Sequence, residues 1–339
     1  MRWSDRPLYV AGTGVCLAPR VTVDDAIAQG LCDPEHAPSR GWRAAAVAAP
    51  DLPAADMAVA AARDALAASA HGPDDIGTVL HAVVLSSGLD AWSSTSYLTR
   101  KLGISHDCRG LEIRAGCAGA LSALDAACSM LQHADLPAAL ITAADVWPLP
   151  IWDRWRGTTG DDVSGDGAGA LVLSRAHGLA RVLATATTSD SALEPHGRGP
   201  DPLRPWRDYQ GHPISLADRA QPFFDGTMSR REFVTRSVDA VRRAVARVLA
   251  DADLTLADVD RFAFQFAGER PTRRDYVEPL GLSLERTTFD LGLDIGHLGA
   301  ADPLVGLHHV LTTDPAAHRI LTAAAGGGFT WSVALFERT

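Results

Sequence analysis

Lysine is almost missing from this chain, because Lys101 is the only lysine among its 31 basic residues. That bias towards arginine is typical of a high-GC genome and excludes no function. Long apolar runs are missing too, since no stretch reaches the roughly 18 consecutive apolar residues of a membrane-spanning helix. The start of the chain, MRWSDRPLYVAGTG, lacks the basic and then apolar segments of a signal peptide. These absences predict a cytoplasmic protein that does not associate with a membrane.

Cysteine is scarce as well, and the five cysteines at positions 16, 32, 108, 117 and 128 show no CxxC spacing. This pattern argues against a zinc site and against a disulfide framework, so we expect no bound metal. Acidic residues outnumber basic ones, 41 to 31, and the resulting formal net charge of −10 argues against binding nucleic acid. The chain is instead 47% apolar and only 21% charged. That composition predicts a globular protein with a substantial core.

Two stretches of the chain share one local frame. EIRAGCAGALSALDAACSML surrounds Cys117, and LDIGHLGAADPLVGLHHVL surrounds His297. Each central residue has a glycine directly before it and another two positions after it, followed by small residues and an apolar helical run. The offset of 180 residues (297 − 117) is about half of the 339-residue chain. This spacing indicates an internal duplication.

The flanking segments follow the same order in both halves: an amphipathic helix, an apolar strand, a loop, a second helix and a second strand. This order predicts an α/β protein built from two similar units. We place the N-terminal half at residues 1–178 and the C-terminal half at residues 179–339. A Pro-, Gly- and Arg-rich segment at about 196–232 has no counterpart in the first half, and it is a candidate lid or acceptor-binding loop.

Four motifs together carry a family resemblance: GCAGAL around Cys117, GDGAGALVL at 165–173, GHLGAAD at 296–302 and GGGFTW at 326–331. In order and spacing they resemble the ketoacyl synthase III-like enzymes of the thiolase fold, over nearly the full length of the chain. The resemblance implies a five-layered α-β-α-β-α architecture, in which two equivalent central helices point their N-termini at one active site. It also implies a homodimer, no bound cofactor, and a donor that is acyl-CoA or the acyl-phosphopantetheine of an acyl carrier protein.

Cys117 is the candidate nucleophile. A lone cysteine before an apolar helix is more often a small buried hydrophobe, but the duplication and the resemblance both favour catalysis here. A thiolate at a helix N-terminus beside an imidazole is stabilised by the helix dipole and by the basic group. The resemblance further implies that the backbone N–H groups of Cys117 and Gly327 form an oxyanion hole.

The chain departs from the condensing members of this family at two positions. Those members carry a histidine in an HQAN stretch and an asparagine in GNTSAAS, and this pair polarises the malonyl thioester during decarboxylation. Aligned by the strand and the glycines, this chain has Gln265 and His297 there. A cysteine, a histidine and nearby carboxylates remain, which predicts acyl transfer without condensation. We expect Gln265 to contact the substrate.

Two carboxylates compete to orient His297. Asp302 lies five residues further on, about 140° away around a regular helix, and it reaches His297 only if the helix starts after Gly299. Asp294 is the alternative, although its ordinary role would be a helix N-cap. GHLGAAD resembles family members of antibiotic biosynthesis in which the histidine and the following aspartate act with the nucleophile. We therefore favour Asp302.

Arginines offer candidate contacts for the acyl carrier. WPLPIWDRWR at 147–156 resembles the family's WTDR segment, whose arginine lies at the mouth of the pantetheine tunnel, and Arg154 matches that arginine. An ordinary surface loop is the alternative. Arg236, Arg243 and Arg247 follow one side of a predicted helix, where they either dock an acidic acyl carrier protein or form a solvated charged face.

Three functions stay open on the sequence. The leading prediction is an acyltransferase of antibiotic or polyketide biosynthesis, which passes an acyl group from Cys117 to another carrier or to a hydroxylated small molecule such as a natural-product sugar. The alternative is a priming ketosynthase that condenses by decarboxylation. The third is a catalytically silent partner subunit. The retained cysteine argues against the third, and the lost histidine and asparagine argue against the second.

Overall fold

The computed structural model describes residues 1–3, 6–35, 41–86, 88–89, 91–156, 162–200 and 213–339. Within these residues the strands are β1 (Leu8–Leu17), β2 (Arg20–Thr22), β3 (Ala44–Ala46), β4 (Ile76–Ala82), β5 (Arg109–Ile113), β6 (Ala138–Asp145), β7 (Gly167–Ser174), β8 (Ala180–Ser189), β9 (Arg261–Phe264), β10 (Arg319–Gly326) and β11 (Thr330–Arg338). The α-helices are α1 (Val23–Ala28), α2 (Ala54–Ala67), α3 (Ser94–Leu102), α4 (Gly119–His133), α5 (Glu194–Arg198), α6 (Leu216–Gly226), α7 (Arg230–Asp251), α8 (Glu269–Thr272), α9 (Glu278–Leu280), α10 (Phe289–Ile295) and α11 (Asp302–Thr313).

Strand pairing repeats along the main sheet, whose order is β5-β4-β6-β7-β1-β8-β11-β10-β9. In the first half β4 and β6 are parallel, and β7 is antiparallel to both β6 and β1. In the second half β9 and β10 are parallel, and β11 is antiparallel to both β10 and β8. β1 and β8 join the two halves, from the pair Leu8 and Val182 to the pair Val10 and Ala180. The same topology therefore runs twice, and the predicted boundary at 178/179 falls between β7 and β8.

Two helices fill the space between the halves of the sheet. α4 packs on β4 and β6 and also contacts β10 and β11, whereas α11 packs on β9 and β10 and also contacts β1 and β7. α2 and α3 cover the outer face of the first half, and α7 covers the outer face of the second. The layers run helix, strand, helix, strand, helix. The predicted five-layered α-β-α-β-α architecture is confirmed.

The central helices owe their position to their sequences. α4 is rich in alanine and leucine, and it buries residues around most of its surface, from Gly119 to Leu131. α11 starts at Asp302 with Pro303 next to it, at a position where the missing N–H of proline is not needed for a helical hydrogen bond. A helix that is apolar on nearly every side is fixed by packing on all of them. The N-termini of both helices are therefore rigid supports for side chains.

The predicted insertion at 196–232 is described in part, because residues 201–212 lie outside the described residues. Of the rest, α5 packs against α6, and the chain then enters α7 at Arg230. Across the part of the chain that the structure describes, no helix combines the length and apolar character needed to cross a bilayer.

Candidate active site

Cys117 lies two residues before α4, at the N-terminal end of that helix. Its side chain is half-buried, and its Sγ lies 3.0 Å from Nε2 of His297. Gly116, just before it, has a φ of 56°, a conformation that glycine adopts without steric cost. The thiol therefore adjoins the positive end of the α4 dipole.

His297 lies between α10 and a 3₁₀ turn at Gly299–Ala301. Its backbone N–H donates to the carbonyl of Val163 at 2.7 Å, and its own carbonyl accepts from the N–H of Gly165 at 2.9 Å. A Cβ at position 165 would lie 2.0 Å from the carbonyl oxygen of Ile295. The glycine that opens the GDGAGA motif is therefore required for the contact that fixes the backbone of His297.

Asp302 is the first residue of α11 and is completely buried. Its Oδ2 accepts hydrogen bonds from Nδ1 of His297 and from the backbone N–H of Phe266, the latter at 2.8 Å. Its Oδ1 accepts from the N–H of Leu298 at 2.7 Å. These bonds hold the carboxylate in place, and the bond to Nδ1 leaves Nε2 of the imidazole facing Cys117.

The two competing carboxylates lie in different surroundings. Asp294 forms ion pairs with Arg20 at 2.6 Å and with Arg43 at 2.8 Å. The hydrogen bond from Arg43, aided by the charges of both arginines, lowers the pKa of Asp294. Asp302 reaches His297 because the chain makes a 3₁₀ turn before α11 begins. The helix therefore starts after Gly299, as the sequence analysis required for this contact. The structure thus joins Asp302, not Asp294, to the imidazole.

The imidazole of His297 is coupled to both of its neighbours. Burial alone lowers its pKa, but the charges of Asp302 and Cys117, together with the hydrogen bonds to them, raise the pKa well above the ordinary 6.5. His297 therefore carries a proton at neutral pH when Cys117 is a thiolate. Elsewhere, burial raises the pKa of the Cys16 and Cys108 thiols, which makes both weaker nucleophiles than a free thiol.

The glycine turn between β10 and β11 touches the turn that carries Cys117. A Cβ on Gly116 would lie 2.5 Å from the backbone nitrogen of Gly327, and a Cβ on Gly326 would lie 1.9 Å from the carbonyl oxygen of Ala115. Two glycine backbones are therefore in direct contact, and the nitrogen of Gly327 lies beside the Cys117 turn. The oxyanion hole of Cys117 and Gly327 stays a prediction, and this proximity is what it requires.

Gln265 lies at the carboxyl end of β9. Its Oε1 accepts from the N–H of Ala325 at 2.6 Å. Because that N–H needs an acceptor, the amide oxygen must face Ala325, and Nε2 is turned away from it. Ala325 directly precedes Gly326, so Gln265 fixes the start of the glycine turn. Substrate contact by Gln265 stays a prediction, and Nε2 is the atom that would make it.

Arg154 is turned towards the protein interior. Its Nη2 donates to Asp166 at 2.7 Å and to the carbonyl of Trp147 at 3.1 Å, and its Nη1 donates to the carbonyls of Ala46 and Ser164. The side chain is 13% exposed. With both terminal nitrogens occupied, Arg154 tethers the loop that precedes β7. This geometry favours a structural role over the predicted contact with pantetheine.

The three arginines of α7 differ in their surroundings. Arg236 is engaged in ion pairs with Asp190 at 3.2 Å and with Glu232 at 3.0 Å. Arg243 and Arg247 lie one helical turn apart on the exposed face, and among the described residues neither has an ion-pair partner. Only these two of the three are available to an acidic partner.

Two buried residues near His297 were missed by sequence reasoning. Asp145, the last residue of β6, accepts hydrogen bonds from the N–H groups of Val84 at 2.9 Å and Leu85 at 3.1 Å, and burial raises its pKa to about 7. Trp147 lies beside the imidazole of His297, with 6.3 Å between ring centroids and 27° between the planes. A carboxylate closing the apolar run ALITAAD was the only signal of Asp145 in the sequence.

Known proteins match both halves of the chain. Residues 111–191 match the family model of 3-oxoacyl-[acyl-carrier-protein] synthase III, and residues 249–338 match the model of its C-terminal part. A β-ketoacyl-[acyl-carrier-protein] synthase III of Rhizorhabdus wittichii is 29% identical over 335 residues, which cover 97% of this chain and 98% of the relative.

Solved structures of this family resemble the chain over nearly its full length. The acyltransferase ChlB3 is 32% identical, with a TM-score of 0.90 over 98% of both chains. The 3-oxoacyl-[acyl-carrier-protein] synthase III of Aquifex aeolicus has a TM-score of 0.78 over 97% of this chain and 99% of its own, at 22% identity, which shows the fold alone.

The fold is duplicated, and the N-termini of its two central helices meet at one site. This arrangement defines a thiolase-fold enzyme. The chain belongs to the ketoacyl synthase III family, which confirms the resemblance seen in the sequence. Its activity is therefore acyl transfer or condensation.

Proposed function

We propose that this protein is an acyltransferase that moves an acyl group from an acyl carrier protein or coenzyme A thioester, through acyl-Cys117, to a hydroxyl acceptor or to another carrier. One observation carries the proposal: Cys117 Sγ lies 3.0 Å from His297 Nε2, and His297 Nδ1 donates to the buried carboxylate of Asp302. A nucleophile, a base and an orienting carboxylate in series are the equipment of acyl transfer.

The first half-reaction loads the enzyme. The thiolate of Cys117 attacks the carbonyl carbon of the donor thioester, and the resulting oxyanion accepts hydrogen bonds from the backbone N–H groups of Cys117 and Gly327. The bond to the carrier sulfur then breaks. That sulfur leaves with the proton of His297, so the products are a free carrier thiol, acyl-Cys117 and a neutral imidazole.

The second half-reaction unloads the enzyme. Acylation removes the charge of Cys117, one of the causes that raise the pKa of His297, so the imidazole becomes available as a base. Its Nε2 takes the proton of the acceptor hydroxyl while the oxygen attacks the thioester carbon. Collapse of the intermediate expels the Cys117 thiolate beside the new imidazolium, which the Asp302 carboxylate stabilises.

The activity named for the relatives, ketoacyl synthesis, is the alternative. This chain lacks the histidine and asparagine pair that promotes decarboxylation in condensing members, which argues against this alternative. His297 occupies the asparagine position of condensing members and is committed to Cys117 and Asp302. Gln265 occupies the histidine position, and its amide oxygen is committed to Ala325. We therefore favour transfer without loss of carbon dioxide.

The proposal extends to partners. The exposed arginines 243 and 247 suit an acidic acyl carrier protein, and the GHLGAAD motif resembles members that act in antibiotic and polyketide biosynthesis, which favours a hydroxylated natural product as the acceptor. A homodimer is part of the same proposal, and we infer the pairing edge to be β5, whose residues from Arg109 to Glu112 are exposed.

Intact mass spectrometry tests the acyl-enzyme. Incubated with a panel of acyl-CoA thioesters and no acceptor, the protein should gain one acyl mass, because thioester exchange onto a thiol is nearly thermoneutral, and peptide mapping should place it on Cys117. Cys117→Ala should remain unmodified, whereas Cys108→Ala, the control for another half-buried thiol, should load like the wild type. Loading on a different cysteine contradicts the proposal. Rapid release of labelled carbon dioxide from malonyl-CoA would favour the condensing alternative.

A further inference from the structure

Asp145 is a buried carboxylate that the proposed mechanism does not use. It is the last residue of β6 and is completely buried. Its Oδ1 accepts from the backbone N–H groups of Val84 at 2.9 Å and Leu85 at 3.1 Å, and its Oδ2 accepts from the N–H of Ala300 at 3.4 Å. The first two donors follow β4 in the first half, whereas the third lies in the second half. One carboxylate therefore bonds to the backbone of both halves.

The contact in the second half lies in the 3₁₀ turn between His297 and Asp302. A Cβ on Gly299 would lie only 2.5 Å from Oδ2 of Asp145, so the carboxylate contacts this turn directly. Gly299 has a φ of 65°, a conformation that glycine adopts without steric cost. Since this turn is what allows Asp302 to reach the imidazole, Asp145 supports the segment on which the candidate triad depends.

The contacts in the first half lead towards the nucleophile. The N–H of Val83 donates to the carbonyl of Ile113 at 3.3 Å, and the side chain of Arg114 donates to the carbonyl of Leu85. Ile113 and Arg114 directly precede the turn that carries Cys117. The loop after β4 is therefore bonded both to the approach to the thiol and to the carboxylate that contacts the turn of the imidazole.

The duplication provides a matching bridge in the second half. At its offset of 180 residues, Asp145 at the end of β6 corresponds to Ala325 near the end of β10. In the first half, the side chain of Asp145 accepts from N–H groups that follow the parallel strand β4. In the second half, the side chain of Gln265, which follows β9, accepts from the N–H of Ala325 at 2.6 Å. The ends of two parallel strands are thus bridged by a side chain in each half, on the two sides of one site.

We propose that Asp145 is a positioning residue, which holds the turn of His297 at the correct distance from the thiol of Cys117. The inference rests on the Cys117–His297 pair of the proposed function. Asp302 orients the imidazole within its own half, whereas Asp145 fixes the backbone of that half against the first. The contact of 3.0 Å between Sγ and Nε2 spans the two halves, so it depends on such a link.

Asp145→Asn separates the two ends of the bridge. The amide oxygen can keep the bonds from Val84 and Leu85, but the NH₂ group then faces the N–H of Ala300, and two donors do not pair. The readout is alkylation by iodoacetamide at pH 8, with peptide mapping of each cysteine. Burial raises the pKa of Asp145 to about 7, so its carboxyl is ionised at this pH. Cys117 should react roughly three- to tenfold more slowly than in the wild type, the factor for one lost hydrogen bond, because the imidazole no longer lies where it accepts the thiol proton.

Cys108, a half-buried thiol outside the site, is the internal control. A looser fold would expose both cysteines and speed both reactions, whereas a displaced imidazole slows Cys117 and leaves Cys108 unchanged. Asp125→Asn, at a half-buried carboxylate on α4 that accepts from the hydroxyl of Thr185, should react at the wild-type rates. Unchanged reactivity of Cys117 in Asp145→Asn, or faster alkylation of both cysteines, would overturn the inference.

Asp145→Ser is the second variant, and it decides the question if the amide variant does not fold. Its hydroxyl is too short to reach Ala300, so Cys117 should again react more slowly while Cys108 keeps the wild-type rate. Alkylation needs no acyl donor, which separates this inference from the proposed function. If no donor acylates the wild type, the proposed acyl-enzyme fails, and the alkylation rates still show whether Asp145 positions the pair.

Discussion

Asp302 and Asp294 lie close together in the chain, but the fold gives them different tasks. Asp302 is enclosed and accepts three hydrogen bonds, one of them from His297. Asp294 stays at the surface with Arg20 and Arg43. Removing either carboxylate changes one charge and leaves a side chain of equal size, so the pair provides a matched comparison at the scale of single residues.

Asp302→Asn should retain loading of Cys117 and lose transfer by roughly two to four orders of magnitude, the span for disabling a general base. The reason is that an amide neither holds the imidazole in the required tautomer nor stabilises the imidazolium. Single-turnover kinetics on the pre-acylated enzyme measure the transfer step alone. Asp294→Asn should transfer at the wild-type rate. The opposite ranking of the two variants would assign the triad to Asp294.

Asp145 makes stability depend on pH. Its pKa rises from 3.8 in the unfolded chain to about 7 in the fold, mainly through burial. Between these values the folded state holds a proton that the unfolded state has released, so raising the pH from about 4 to 7 lowers stability, by up to about 1.4 kcal/mol per pH unit for one group. Above pH 7 both states are ionised, and this dependence ends.

Asp145→Asn is neutral at every pH and should remove that dependence. In urea unfolding at pH 5, 6 and 7, the free energy of unfolding of the wild type should fall relative to this variant as the pH rises. Asp290→Asn, at a side chain that is 87% exposed, serves as the surface control. Parallel pH profiles for the wild type and Asp145→Asn would show that the buried carboxyl does not titrate in this window.

At the scale of elements, the site depends on two turns that touch. Gly116 and Gly103 both have positive φ, 56° and 69°. A Cβ on Gly103 would meet no atom of the described residues within 4 Å, whereas a Cβ on Gly116 would lie 2.5 Å from the nitrogen of Gly327. A side chain at either position would therefore strain the backbone. At Gly116 alone it would also collide with the turn that carries Gly327, the proposed oxyanion donor.

Gly103→Ala should lower the free energy of unfolding by about 1–2 kcal/mol, the cost of a side chain in the left-handed region, and should load acyl groups normally. Gly116→Ala should cost more, because backbone must also move. It should slow loading by up to about a hundredfold, since one oxyanion donor is displaced. Thermal unfolding and single-turnover acylation provide both readouts. Equal losses of stability and normal loading in both variants would rule out a functional contact between the turns.

Much of the site at this scale is readable in the sequence. The two Gly-x-x-Gly frames predict two helices meeting at one point, and Pro303 after Asp302 marks where α11 begins. What the frames do not show is that the chain makes a 3₁₀ turn between His297 and α11, whereas only Ala118 separates Cys117 from α4. Contacts across strands escape local patterns altogether. The contacts of Gln265 with Ala325 and of Arg154 with Asp166 depend on the packed fold, so the motifs did not show them. The substrate contacts that the motifs gave to both residues stay predictions.

At the scale of the whole molecule, β5 forms one edge of the nine-stranded sheet, and no strand of the described residues pairs with its outer side. Four of its five residues are exposed, and Leu111 is 44% exposed. An uncovered edge strand offers unpaired N–H and C=O groups to another chain, and two identical edges related by a two-fold axis can pair with each other.

Light scattering during size-exclusion chromatography should therefore show a dimer. Leu111→Arg should shift the protein towards the monomer, because it places like charges opposite each other across the axis. Leu149→Arg, at an even more exposed leucine of 67%, should remain dimeric. A wild-type monomer, or equal dissociation in both variants, would place the subunit contact elsewhere or abolish it.

The position of β1 between β7 and β8 affects how the chain folds during synthesis. Its two neighbours in the sheet are β7 and β8, which leave the ribosome only after residues 167–189 have been translated. β1 precedes the other strands of its half in this sequence and is therefore among the last of them to find its partners. Until then an apolar strand with two open edges is exposed to other nascent chains. A chain truncated before residue 167 would keep β1 without either of its sheet neighbours, and we expect it to aggregate more readily than the full chain.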